Sequence, residues 1–134
     1  MIPKFRVWDK RSKEMWKVST LHIEDEYADL FKKNIYENPL NDQWAKFEDI
    51  ILMQSTGLKD KNGVESWEGN YLSKEGCWPF FIKWIENEGC LMAVPVNSVQ
   101  RINWKPMSVK ELLDTGYVNN SNIYETPKLL EVAE

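Results

Sequence analysis

The chain has 134 residues, among them seven Trp, five Tyr and five Phe, more ring surface than a disordered segment carries and enough for one domain, or a small domain with an appendage. Lys and Arg number 17 against 21 Asp and Glu, and the net charge of −4 argues against a strong electrostatic hold on phosphates. No apolar run approaches the ~18 residues of a membrane span, and the amino terminus is charged where a secretory leader would be apolar, so the expected setting is cytoplasmic, with no membrane partner and Cys77 and Cys90 reduced.

Phe5-Arg6-Val7-Trp8 alternates apolar and polar side chains and predicts a strand. Asp9 to Lys13 supplies a polar turn, and Met15 to Val18 a returning strand, making an amino-terminal hairpin. From Ile23 to Lys33 the period changes. Ile23, Tyr27, Leu30 and Phe31 share one side at helical spacing, with acids early and bases late, which predicts a short amphipathic helix. Asn38-Pro39 opens a further helical turn with Leu40, Trp44 and Phe47 on one side. Ile50 to Met53 is a continuous apolar run, the pattern of a strand covered on both faces. Asp60-Lys61-Asn62-Gly63 is a turn by its chemistry, because Asn and Gly accept positive φ. Val64 to Trp67 returns, Glu68-Gly69-Asn70 breaks the strand, and Tyr71-Leu72 resumes it.

Asn87-Glu88-Gly89 is expected as a three-residue hairpin loop with Gly89 left-handed. That register sets Glu86 against Cys90, Trp84 against Met92, Ile82 against Val94 and Phe80 against Val96, with the apolar members on one face and Phe81 outward beside Lys83. The same strand carries Cys77 far from Cys90, so no disulfide between them is expected. Val99, Ile102 and Trp104 suggest another strand. Ser108 and Glu111 fit a capping box, Val109, Leu112 and Leu113 give the helix behind it an apolar side, and Gly116 stops it. Tyr117 to Tyr124 is expected as a strand, and Pro127 as the first residue of a terminal helical turn. Short strands and frequent turns from Val64 onward suggest a small β-barrel or roll.

Reaction chemistry is sparse. His22 is the only histidine, flanked by Leu21 and Ile23, with no Ser or Cys in a nucleophile context beside it. His22, Cys77 and Cys90 lack the close cysteine pairs that structural zinc sites use. Asp60, Glu65 and Glu68 are explained by turns more simply than by acid–base work. Neither a P-loop nor a G-x-G-x-x-G turn is present. Trp78 and Phe81, with Lys83, are the side chains placed for stacking a base or anchoring an interface, and the acidic balance favours the interface. Arg6, Lys10 and Arg11 belong to a basic first hairpin.

Three blocks resemble the YopX family of phage and prophage proteins. They are Phe5-Arg6-x-Trp8-Asp9 with Lys13-x-Met15; Met53-Gln54-x-Thr56-Gly57-Leu58-x-Asp60-Lys61-x-Gly63-x-Glu65-x-x-Glu68-Gly69; and Asn122-Ile123-Tyr124-Glu125-x-Pro127-x-Leu129-Leu130. The chain departs from the family pattern at Ser66-Trp67 (commonly Ile-Tyr), at Asn70 (usually Asp) and at Ser121 (often Gly). The resemblance implies a phage or prophage accessory protein of a bacterial host, an SH3-like carboxyl-terminal barrel, and no catalytic residue to carry over. The expectation is therefore a mainly β protein: hairpin, helix and strand over residues 1–63, then an SH3-like barrel with a short helix and tail over 64–134. Its function is expected to be non-enzymatic protein interaction or homo-oligomer assembly, with no cofactor and no metal. The candidate interaction surface is Trp78, Phe81, Lys83, Arg6, Lys10 and Arg11. Nucleic-acid binding through the barrel rings and the basic hairpin is the alternative, disfavoured by net charge.

Overall fold

The first hairpin forms where its alternation requires. β1 (Phe5–Asp9) turns Val7 and Asp9 inward, and β2 (Glu14–His22) pairs with it antiparallel, Val7 opposite Trp16 and Asp9 opposite Glu14. The computed structural model describes residues 2–32, 43–97 and 105–130. The chain divides into two compact units, Ile2–Gln54 and one from Ser55 onward, the division falling inside a single strand.

In the first unit, β2 is followed by β3 (Tyr27–Phe31), β4 (Gln43–Lys46), one 3-10 turn (Phe47–Asp49) and the first half of β5 (Ile50–Lys59). The hydrogen-bonded order is β4-β3-β2-β1-β5, so the strand made last in this unit returns to the one made first. Val7, Trp16, Ala28, Leu30, Ala45 and Ile50 form its core. Backbone bonds fold the sheet ends together, Lys10 N donating to the Asp49 carbonyl at 3.0 Å and Phe47 N to that of Glu26 at 2.9 Å.

The helix expected from Ile23 to Lys33 is not formed. Residues 23–26 are a turn in which Glu26 takes a left-handed φ of +56°, and Tyr27–Phe31 is β3. Strand alternation wins over the apparent helical period: Ala28 and Leu30 are buried while Tyr27, Asp29 and Phe31 face outward, and Ile23, counted as apolar face, is 69% exposed. The helical turn carrying Trp44 and Phe47 is likewise corrected, since Trp44 lies in β4 with Ala45 inward and Phe47 begins the 3-10 turn; Asn38, Pro39 and Leu40 lie outside the described residues.

In the second unit, the far end of β5 pairs with β6 (Glu65–Trp67) through the expected turn at Asp60–Gly63. Four further strands, β7 (Asn70–Ser73), β8 (Phe80–Ile85), β9 (Cys90–Pro95) and β10 (Val118–Asn122), make an antiparallel sheet in the order β10-β7-β8-β9. α1 (Val109–Asp114) packs Val109, Leu112 and Leu113 with Leu72, Phe80, Ile82 and Ala93 of the sheet. Ser108 Oγ caps it, accepting from Glu111 N at 3.3 Å. Gly116, at φ +106°, ends it in a Schellman turn, Tyr117 N reaching the Leu112 carbonyl at 3.1 Å. The mainly β build expected over 64–134 forms, and among the described residues its strands do not close into a barrel. Among the described residues a helix covers the apolar face of this sheet.

The β8–β9 hairpin forms with a different register. Ile85 pairs with Cys90, so the loop is Glu86–Gly89, four residues, and Gly89 N donates to the Ile85 carbonyl at 2.8 Å. Ile82 consequently faces Ala93 and Phe80 faces Pro95, while Met92 and Val94 move to the other side opposite Lys83 and Phe81. Trp84, expected inward, is 45% exposed at the end of the covered face. Val99, Ile102 and Trp104 lie outside the described residues. Strand is thus the dominant state of the described chain, with α1 its one α-helix.

Candidate functional site

The first unit's corner is organised by Asp9, a carboxylate only 1% exposed. Its Oδ1 accepts from Arg11 N at 3.0 Å and Arg11 Nε at 3.4 Å; its Oδ2 accepts from Ser12 Oγ at 3.0 Å and Gln43 Nε2 at 3.3 Å. Burial pushes the Asp9 carboxyl up, but these donors and the Arg11 charge outweigh it and hold the group below the usual carboxylate range. Asp9, Arg11, Ser12, Gln43 and Trp44 line an open cavity of about 580 Å³. With both oxygens occupied by turn and strand donors, Asp9 fastens the β1–β2 turn to β4.

The sequence-chosen cations are drawn into the same corner. Lys10 Nζ donates to the Glu48 carbonyl at 3.1 Å, and Arg11 Nη2 to the Trp44 carbonyl at 3.4 Å. Arg6 lies mid-strand in β1, half-buried, opposite Lys17 and Met53. The basic first hairpin therefore spends two of its cations on its own neighbouring backbone.

Beside this corner, the outward face of β2, β3 and β4 gathers rings. The planes of His22 and Tyr27 are stacked, centroids 4.0 Å apart and 13° from parallel, and Trp44 meets Tyr27 edge-on at 6.0 Å. His22 Nε2 lies 2.9 Å from Asp29 Oδ2, and Asp29 is the register partner of Trp44. Trp44 is 58% exposed. Sequence reasoning missed this group because it read Tyr27 and Trp44 as apolar faces of helices. The available signal was Gln43-Trp44-Ala45-Lys46, whose one small apolar residue between polar and bulky ones marks a strand with only Ala45 inward.

In the second unit, Trp78 and Phe81 are half-buried and Lys83 is exposed. Trp78 Nε1 donates to the Val96 carbonyl at 2.9 Å, and Phe81 lies between register partners Tyr71 and Val94. Asp60 does here what Asp9 does in the first unit. Oδ1 accepts from Asn62 N and Val64 N, and Oδ2 from Asn119 N at 2.9 Å and Asn119 Nδ2 at 3.1 Å. Burial raises its carboxyl and the amides of Asn119, Val64 and Asn62 more than reverse that, so it too sits below the usual range. Asn70 extends the network, donating from Nδ2 to Asn119 Oδ1 at 2.9 Å, a bond no ionised Asp at that position would donate. Cys77 and Cys90 are free, exposed thiols. Among the described residues, no three His, Cys, Asp or Glu side chains converge as a metal-binding group, and no helix is long and apolar enough to cross a membrane.

The family model described as YopX protein matches residues 4–131. The chain belongs to the YopX family. Among solved structures, this YopX-family chain is similar to protein EF1440 from Enterococcus faecalis, at 28% identity and a TM-score of 0.62, over 97% of this chain and 99% of that one. A comparison with curated proteins finds no similar sequence. The family match and the likeness to EF1440 each run through both units of this chain.

Proposed function

We propose that this YopX-family chain is a phage or prophage accessory protein that acts without catalysis in the cytoplasm of a bacterial host, by binding another protein or a second copy of itself. The observation that carries this reading is the contrast between its carboxylates and its rings. Asp9 and Asp60, the best-buried acids among the described residues, are consumed by turn amides and neighbouring side chains, whereas Trp44 and Trp84 stand exposed on strands. Rigid strands presenting large rings suit recognition better than proton transfer. Affinity capture from host lysate together with light scattering tests it: a stable complex or an oligomer is expected, and a monomer that retains no partner contradicts it.

Nucleic-acid binding is the second reading, supported by the exposed Lys4, Lys10, Arg11, Lys13 and Lys17 of the first hairpin. The contacts of Lys10 and Arg11 with the Glu48 and Trp44 carbonyls count against it. On that reading, affinity for single-stranded DNA falls steeply with salt.

A further inference from the structure

We propose that the outward face of β2, β3 and β4, centred on Tyr27, Trp44 and Asp29, is the docking surface for a protein partner and takes an arginine- or lysine-bearing segment of it. This rests on the protein-binding reading above and adds the place and the chemistry. The rings are already arranged. Tyr27 is held flat against His22, His22 is tied to Asp29 at 2.9 Å, and Trp44 stands edge-on to Tyr27 with more than half its surface open. Rings fixed this way offer contact area at little cost in side-chain freedom.

Charge selects the occupant. Asp29 lies opposite Trp44, and the turn joining His22 to Tyr27 carries Glu24, Asp25 and Glu26, all exposed; among the described residues Lys46, opposite Tyr27, and Lys17, opposite Phe31, are cations on this face, fewer than the acids around Tyr27. Ring faces and carboxylates both attract a guanidinium or ammonium group, and the same carboxylates repel the phosphates that would accompany a stacked base. Strand addition along β4 is the poorer use of this edge. The strand has four residues, and Arg11 Nη2 already donates to the Trp44 carbonyl.

The test is an NMR titration of the full isotope-labelled chain with a Gly-Arg repeat peptide, a Gly-Glu repeat peptide of equal length, and oligo-dT. The Arg peptide is expected to shift the Trp44 indole and Tyr27 ring resonances saturably, with Trp44→Ala and Asp29→Asn each weakening it about fivefold. Dispersed, native-like Val7 and Ile50 resonances from the same core confirm that both variants fold. The Glu peptide and oligo-dT are expected to leave the face unmoved. No response to the Arg peptide, a response confined to other residues, or an equal response to oligo-dT overturns the site. Because assembly and capture are read separately, an inert Trp44 face removes this site and leaves the protein-binding reading standing, whereas a partnerless monomer removes that reading itself.

Discussion

Ser121 holds a left-handed backbone, φ +66°, where the bulge between Asn119 and Asn122 turns β10 against β7. An L side chain there costs about 1 kcal/mol, offset in part by the 2.9 Å contact of Ser121 Oγ with Thr126 Oγ1. Ser121→Gly removes the strain together with that contact and is expected to raise stability by about 0.5 kcal/mol, read as a higher urea midpoint at constant slope. Asp60 predicts the opposite behaviour. Its folded carboxyl lies below the unfolded value of about 3.9, so its contribution is complete above that pH and is lost as pH falls through the lower folded value. Asp60→Asn should therefore cost about 2 kcal/mol at pH 7, since an amide cannot accept from every donor now facing Asp60, and the gap from the parent chain should close below about pH 4. Urea unfolding of both proteins at several pH values measures it.

Elements were legible in the sequence where a turn residue and alternation agreed. Asp60–Gly63, the first hairpin, and the Ser108 cap with the Gly116 stop all formed as their side chains require. They failed where outward rings imitated a buried stripe. Tyr27 and Phe31 face outward from β3, yet their spacing with Leu30 copies one helix face, and nothing local to the segment reveals that β2 and β4 flank it. The β8–β9 register slipped because Gly89 suits either a three- or a four-residue loop, and apolar side chains occupy both faces of β9. The docking face was illegible for the same reason as β3: it exists only once three strands are side by side. Ser108→Ala tests an element whose origin is local, and is expected to cost about 1 kcal/mol in thermal or urea unfolding by freeing the Glu111 amide.

At the scale of the whole molecule, both units use one device. Each ties a turn to a distant strand through a buried carboxylate, Asp9 to Gln43 of β4 and Asp60 to Asn119 of β10, and each leaves a tryptophan open on a strand. Asp9 and Asp60 are committed to holding turns, and the exposed rings on strands support the proposal that this chain works by recognising a partner. Light scattering of the intact chain, across concentration and again after capture from host lysate, tests that conclusion most directly. A species heavier than the 15.9 kDa chain is expected in at least one of the two conditions; a 15.9 kDa monomer in both would rule out action by binding a partner or a second copy.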